Sequence, residues 1–132
     1  MTMKTVCDMF HISADTLRYY ERIGVIPPVR RSSGGIRQYT DEDISWIQNA
    51  LCLRGAGVPL EMIAEYVSLY DQGEPTFEAR CELLKKARLQ VLAEKQKYDE
   101  ALEKLNYKIG KYEEAVRTGV LVWDEDVKCD NR

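Results

Sequence analysis

Residues 16–28 read TLRYYERIGVIPP. Two arginines, Arg18 and Arg22, flank the adjacent tyrosines Tyr19 and Tyr20, in a chain whose net charge is −3 and whose pI is about 5.3. At helical spacing Leu17 and Tyr20 share one face, while Asp15, Thr16, Arg18, Tyr19 and Arg22 lie away from it. Ser13 is a helix N-cap residue, Gly24 is a helix terminator, and Pro27-Pro28 forbid continuation. Arginine offers a fixed charge and forked donors, tyrosine a hydroxyl and a flat ring, and threonine a short donor. These groups serve phosphates and base edges. Tyr20 reads as core, and the other polar residues as a surface built for a polyanion.

Upstream, Met3, Val6, Cys7 and Phe10 fall on one face of a short helix over 3–10, and His11-Ile12 make a turn. Two short helices joined by such a turn form a helix-turn-helix, whose second helix enters the DNA major groove. Downstream, VRRSSGGIRQY places a Ser-Ser-Gly-Gly turn between two short segments that pair as strands. Arg30, Arg31 and Arg37 flank this turn, which makes a small β-wing with a cationic tip. Thr40-Asp41-Glu42-Asp43 is a capping box opening a third helix, with Ile44, Ile47, Ala50 and Leu51 as its stripe. Gly55-Ala56-Gly57 ends that helix. Pro59 takes the first position of a fourth, with Leu60, Ile63, Ala64 and Val67 inward.

Charge divides along the chain. Residues 1–40 carry +3 and the remainder −6, a basic head on an acidic body, which suits a polyanion met at one end. A length of 132 residues holds one small domain and an extension. No apolar run reaches the length of a membrane span and no secretory leader is evident, so a cytoplasmic protein without membrane contact is expected. Cys7, Cys52, Cys81 and Cys129 are scattered, which favours reduced thiols over a disulfide framework.

From Thr76 the period changes. Phe77, Leu84, Val91, Tyr98, Leu105 and Tyr112 recur every seven residues, with Cys81, Arg88, Lys95, Leu102, Ile109 and Val116 four residues after each. This ladder predicts one helix of about 40 residues, roughly 60 Å long, whose seam needs a partner. A second copy of the chain is the simplest one. Packing against its own domain is the alternative. The expected organisation is a winged helix-turn-helix domain over 1–70, a linker over 71–75, a coiled-coil dimerisation helix over 76–118 and a tail over 119–132. The fold class is all-α with a small β-wing.

LRYYERIGVIPP followed by GIRQYTDEDI closely resembles the N-terminal signature of the MerR family of bacterial transcription regulators, and the resemblance runs over roughly residues 1–118. It implies an antiparallel coiled coil across a homodimer, a palindromic promoter operator in double-stranded DNA, and distortion of that DNA so that RNA polymerase reads both promoter elements. Deforming a duplex costs about 1–6 kcal/mol, which binding contacts can repay. Carried over, Thr16, Arg18, Tyr19 and Arg22 contact bases and phosphates. Arg37 and Tyr39 clamp the backbone, with Arg30 and Arg31 nearby. His11 stands where the family's turn has Gly, which positive φ at His tolerates. Pro59 replaces a Ser cap.

Family metal sensors carry a cysteine at the start of the dimerisation helix and a pair after it. Here Phe77 occupies that start and only Cys129 follows, so neither metal nor another cofactor is expected. Cys7 and Cys81 read as packing residues. Cys52, in NALCLRG, sits beside the apolar stripe with Arg54 close in sequence, the setting of a reactive thiol. It matches the cysteine position of a short, aldehyde-responsive branch of the family; a half-buried structural role is the alternative. Two further readings stay open. One is a non-covalent small-molecule or metal sensor near the coiled coil, with Tyr66, Tyr70 and Trp123 lining a pocket. The other is a coiled-coil interaction protein without DNA binding. Enzymatic activity has no support: His11 lies in a turn, and neither a nucleophile–base pair nor a Gly-rich phosphate loop is present.

Overall fold

A computed structural model describes residues 1–124 of the chain. Its helices are α1 (Met3–Phe10), α2 (Ala14–Ile23), α3 (Asp41–Gly55), α4 (Leu60–Asp71) and α5 (Phe77–Thr118), with a single 3-10 turn at Glu74–Thr76 before α5. Two compact units result, Met1–Val91 and the residues from Leu92 onward.

Local chemistry sets the helix bounds in the first unit. Thr2 caps α1 by accepting from Thr5 N, and His11 ends it at φ 56°. Ser13 caps α2 by accepting from Thr16 N, and Gly24 ends it at φ 85°. Thr40 and Asp43 form the reciprocal capping box of α3. Each such cap satisfies donors that a helix start leaves open, worth about 1 kcal/mol. Pro59 sits one position earlier than expected. It is the N-cap of α4, in extended conformation, and Leu60 begins the helix.

These helices enclose one core. Val6, Leu17, Tyr20, Val25, Ile26, Ile47, Ala50 and Ile63 are buried in it. Leu83 and Ala87 of α5 are buried too, and Val91, expected at the seam, packs against this same core. The opening turns of α5 therefore belong to the first unit.

The 71–75 segment is tied down. Asp71 closes α4 and Gly73 turns the chain at φ 82°. The Thr76 hydroxyl lies 2.7 Å from both Leu69 O and Gly73 O. Arg80 donates through Nε to Thr76 Oγ1 at 2.9 Å and through Nη2 to Gly73 O at 2.7 Å. A guanidinium fork thus locks the α4–α5 junction.

The wing also departs from expectation. Two paired strands are predicted, whereas the structure has one isolated antiparallel bridge, Arg31 with Arg37. A tight turn consumes the segment: Gly35 N donates to Ser32 O, Ser32 N to Ile36 O and Gln38 N to Arg30 O. Val29 and Tyr39 are then drawn into the core, which leaves too few residues for a ladder.

In the second unit α5 exposes Tyr98, Leu102, Leu105, Ile109, Tyr112 and Val116. The chain then turns at Gly119, φ 81°, and folds onto its own helix. Trp123 packs on Tyr107 and Tyr112 with ring centroids 5.9 Å away in each case. Tyr107 Oη accepts from Asp124 N at 3.0 Å, and Lys111 Nζ meets Asp124 Oδ1 at 2.9 Å. The hydrogen bond from Lys111 holds the Asp124 carboxyl below the ordinary carboxylate range.

Candidate nucleic-acid interface

The polar face of α2 is built as its periodicity predicts. Leu17 and Tyr20 are fully buried, while Arg18, Tyr19 and Arg22 project outward. Arg22 stacks over the Tyr19 ring at 5.2 Å, which holds an exposed aromatic and a cation as one unit. Arg18 pairs with Asp15 at 3.0 Å, an exposed contact that a phosphate can replace at little cost. Thr16 is engaged with the cap: Ser13 Oγ donates to Thr16 Oγ1 at 2.9 Å. Arg30 and Arg31 are exposed, and Arg31 Nη1 reaches Gly35 O at 3.1 Å.

Arg37 and Tyr39, the expected backbone clamp, both make contacts within the protein itself. Arg37 Nε donates to Glu21 Oε1 at 2.8 Å, with the two side chains only 20% and 16% exposed. It ties the wing to the last turns of α2 instead of projecting freely. Tyr39 is buried and its phenol oxygen has no hydrogen-bond partner. Burial pushes its pKa up, partly opposed by Arg37, so the group stays neutral and inward. Its backbone makes two links to Met1, accepting from the terminal ammonium at 2.7 Å and donating from N to Met1 O at 2.9 Å. The buried ring anchors the wing in the core. The Arg37–Glu21 pair joins residues 16 apart in the chain, and no periodic pattern announces it.

The thiols fall in three settings. Cys7 is half-buried against the core, whereas Cys52 on α3 and Cys81 on α5 are exposed. Cys129 lies outside the described residues. Cys81 opens into a groove lined by Tyr66, Phe77, Arg80, Leu84, Lys85 and Arg88. It is therefore a solvent-facing thiol among cations, although heptad position reads it as packing. Arg80, Lys85 and Arg88, one before, four after and seven after it, are the signal in the sequence. Among the described residues no group of three or more His, Cys, Asp and Glu side chains is placed to hold a metal ion. No helix among them is long and apolar enough to cross a membrane.

Tyr66 and Tyr70 come together as anticipated, but with a different tryptophan. Trp46 of α3 meets Tyr70 edge-on at 5.0 Å and Tyr66 at 6.2 Å. Trp123 is committed to Tyr107 and Tyr112 instead.

Comparison with known proteins agrees with this arrangement. The model of the MerR HTH family regulatory protein matches residues 1–69. Over 92 residues the chain is 45% identical to the HTH-type transcriptional regulator AdhR of Bacillus subtilis strain 168, covering 70% of this chain and 66% of that relative. The match thus spans just under two thirds of AdhR. A MerR family regulator from Listeria monocytogenes superposes with a TM-score of 0.80 at 42% identity, covering 86% of each chain. HiNmlR, a MerR family regulator lacking the sensor domain and solved bound to promoter DNA, gives 0.78 at 30% identity, over 91% of this chain and 95% of that one. A helix-turn-helix with its cationic face exposed, continued by a long helix and shared with these regulators, makes the chain a DNA-binding transcriptional regulator rather than an enzyme. It belongs to the MerR family.

Proposed function

We propose that the protein is a cytoplasmic, homodimeric regulator that binds a palindromic promoter operator and distorts it so that RNA polymerase can read both promoter elements. Thr16, Arg18, Tyr19 and Arg22 would meet the major groove, with Arg30 and Arg31 on the flanking phosphates. The exposed stripe of α5 supports pairing with a second copy, because apolar side chains left half in water are stabilised by covering them.

The signal is an electrophile, an aldehyde in the simplest case, and Cys52 is its target. The thiol sulfur adds to the carbonyl carbon, its proton passes to the carbonyl oxygen, and a hemithioacetal forms without an oxidant. The observation that carries this reading is an exposed thiol on α3 within the same compact unit as the recognition helix. AdhR, 45% identical over the matched region, adds a relative of the same short type.

Run-off transcription with purified RNA polymerase and a reactive aldehyde tests it. Cys52→Ser should bind the operator normally and lose induction, while Cys81→Ser should keep both. Induction of Cys52→Ser equal to wild type refutes the thiol assignment.

A further inference from the structure

We infer that the first unit holds a second ligand site, a cleft for an amphipathic organic cation, between the end of α2, the start of α3 and the end of α4. The cleft encloses about 440 Å³, within the usual range for small-molecule sites. Trp46 and Tyr70 form an aromatic corner, and Ile23, Ile26 and Val67 supply apolar floor. Three carboxylates border it, from Glu21, Glu42 and Asp71. Glu21 is neutralised by Arg37. Glu42 and Asp71 are exposed and make no ion pair among the described residues. Among the described residues that line the cleft none is a cation: Arg37 is paired with Glu21, and Arg80, which lies over one ring face of Tyr70 at 5.2 Å, lines the neighbouring groove.

This combination selects for charge sign and shape together. Aromatic faces attract cations and are indifferent or repulsive to anions, and two unpaired carboxylates act in the same direction. The apolar floor rewards a ligand with a hydrophobic body, which excludes simple metal ions and small polyamines as good occupants. Arg80 over Tyr70 is the molecule's own example of the contact. The wall nearest α2 consists of Glu21, Ile23 and Gly24, so an occupant touches the recognition helix where it ends. The site does not depend on Cys52 or on any thiol chemistry.

The test uses the full chain carrying Trp123→Phe, which leaves Trp46 as the sole tryptophan. Three probes share one body: 4-phenylbutyltrimethylammonium, 4-phenylbutanol and 4-phenylbutanoate. Saturable quenching of Trp46 by the cation, at least tenfold tighter than by the alcohol and with no binding of the carboxylate, is expected. Each carboxylate contributes roughly threefold as a partly screened charge. Glu42→Gln with Asp71→Asn should therefore weaken the cation about tenfold and leave the alcohol unchanged. Far-ultraviolet circular dichroism checks the fold of the double variant, and the single variants serve if it does not fold. Equal affinity for the three probes, absence of saturation by the cation at millimolar concentration, or unchanged cation affinity in the folded variants overturns the assignment.

Discussion

Replacing Glu21 by Gln isolates one contact with minimal change in shape. Glu21 sits near the end of the recognition helix, accepts from Arg37 Nε at 2.8 Å, and is about five-sixths shielded from water. A hydrogen bond to a charged partner contributes about 1.5–3 kcal/mol, and residual exposure on both sides reduces this. We expect a coupling of about 1–2 kcal/mol between Glu21 and Arg37 in a double-mutant cycle built from Glu21→Gln, Arg37→Gln and the pair. For a protein of this size that corresponds to a fall of roughly 3–8 °C in Tm for the single variants. Thermal unfolding followed at 222 nm supplies the stabilities, and titration of operator DNA supplies affinity in parallel. Glu21→Gln removes a negative charge from α2, the helix proposed to face DNA, so pure electrostatics would tighten binding. We expect the opposite, because a wing released from Glu21 has to be re-ordered on the duplex. Operator affinity should drop about three- to tenfold while affinity for random DNA holds or rises. A coupling under about 0.5 kcal/mol, or operator binding that tightens, refutes the idea that this pair sets the wing.

Tyr39→Phe removes a buried hydroxyl that has no partner, so stability at pH 7 should be unchanged or higher. The sign with pH follows from the raised pKa: the unfolded phenol ionises near 10 while the folded one keeps its proton, so stability falls as pH rises past that value. The variant should show a shallower alkaline decline in urea midpoints between pH 9 and 11; a decline as steep as wild type argues against it. Arg30→Gln should weaken operator and random DNA alike and reduce the slope of log K against log salt by about one. Loss confined to the operator would assign Arg30 to base reading. Leu105→Glu places a charge in the exposed stripe of α5 and should convert a dimer to monomer in sedimentation at micromolar concentration without lowering helix content; an unchanged sedimentation coefficient would move the interface elsewhere.

The helices were legible because their determinants are local. Ser13, the Thr40/Asp43 box, His11 at positive φ and Gly24 each act within one turn of where they stand, so a reader of the chain can place them. Features that depend on distant partners were not. The pairing of Arg37 with Glu21, the inward turn of Tyr39 and the meeting of Trp46 with Tyr70 are set by how the elements pack, and Arg37 looks in sequence like any other wing cation. Heptad spacing placed Val91 on the exterior seam because periodicity reports a face and not what covers it. Cys81 holds a core register yet is exposed in the single chain, because a register names a face and not what covers it.

The wing tip shows a constraint of a different kind. Gly35 adopts φ 80°, yet a Cβ built there meets nothing within 4 Å. Crowding does not reserve the position for glycine; handedness does. A mirror-image residue such as D-alanine, introduced by chemical ligation, would occupy that empty space in its preferred conformation and narrow the unfolded ensemble, a gain of about 0.4–1 kcal/mol. The ribosomal alphabet contains no such residue. At this point on the wing the ceiling on rigidity is set by the stereochemistry of translation rather than by the architecture around it.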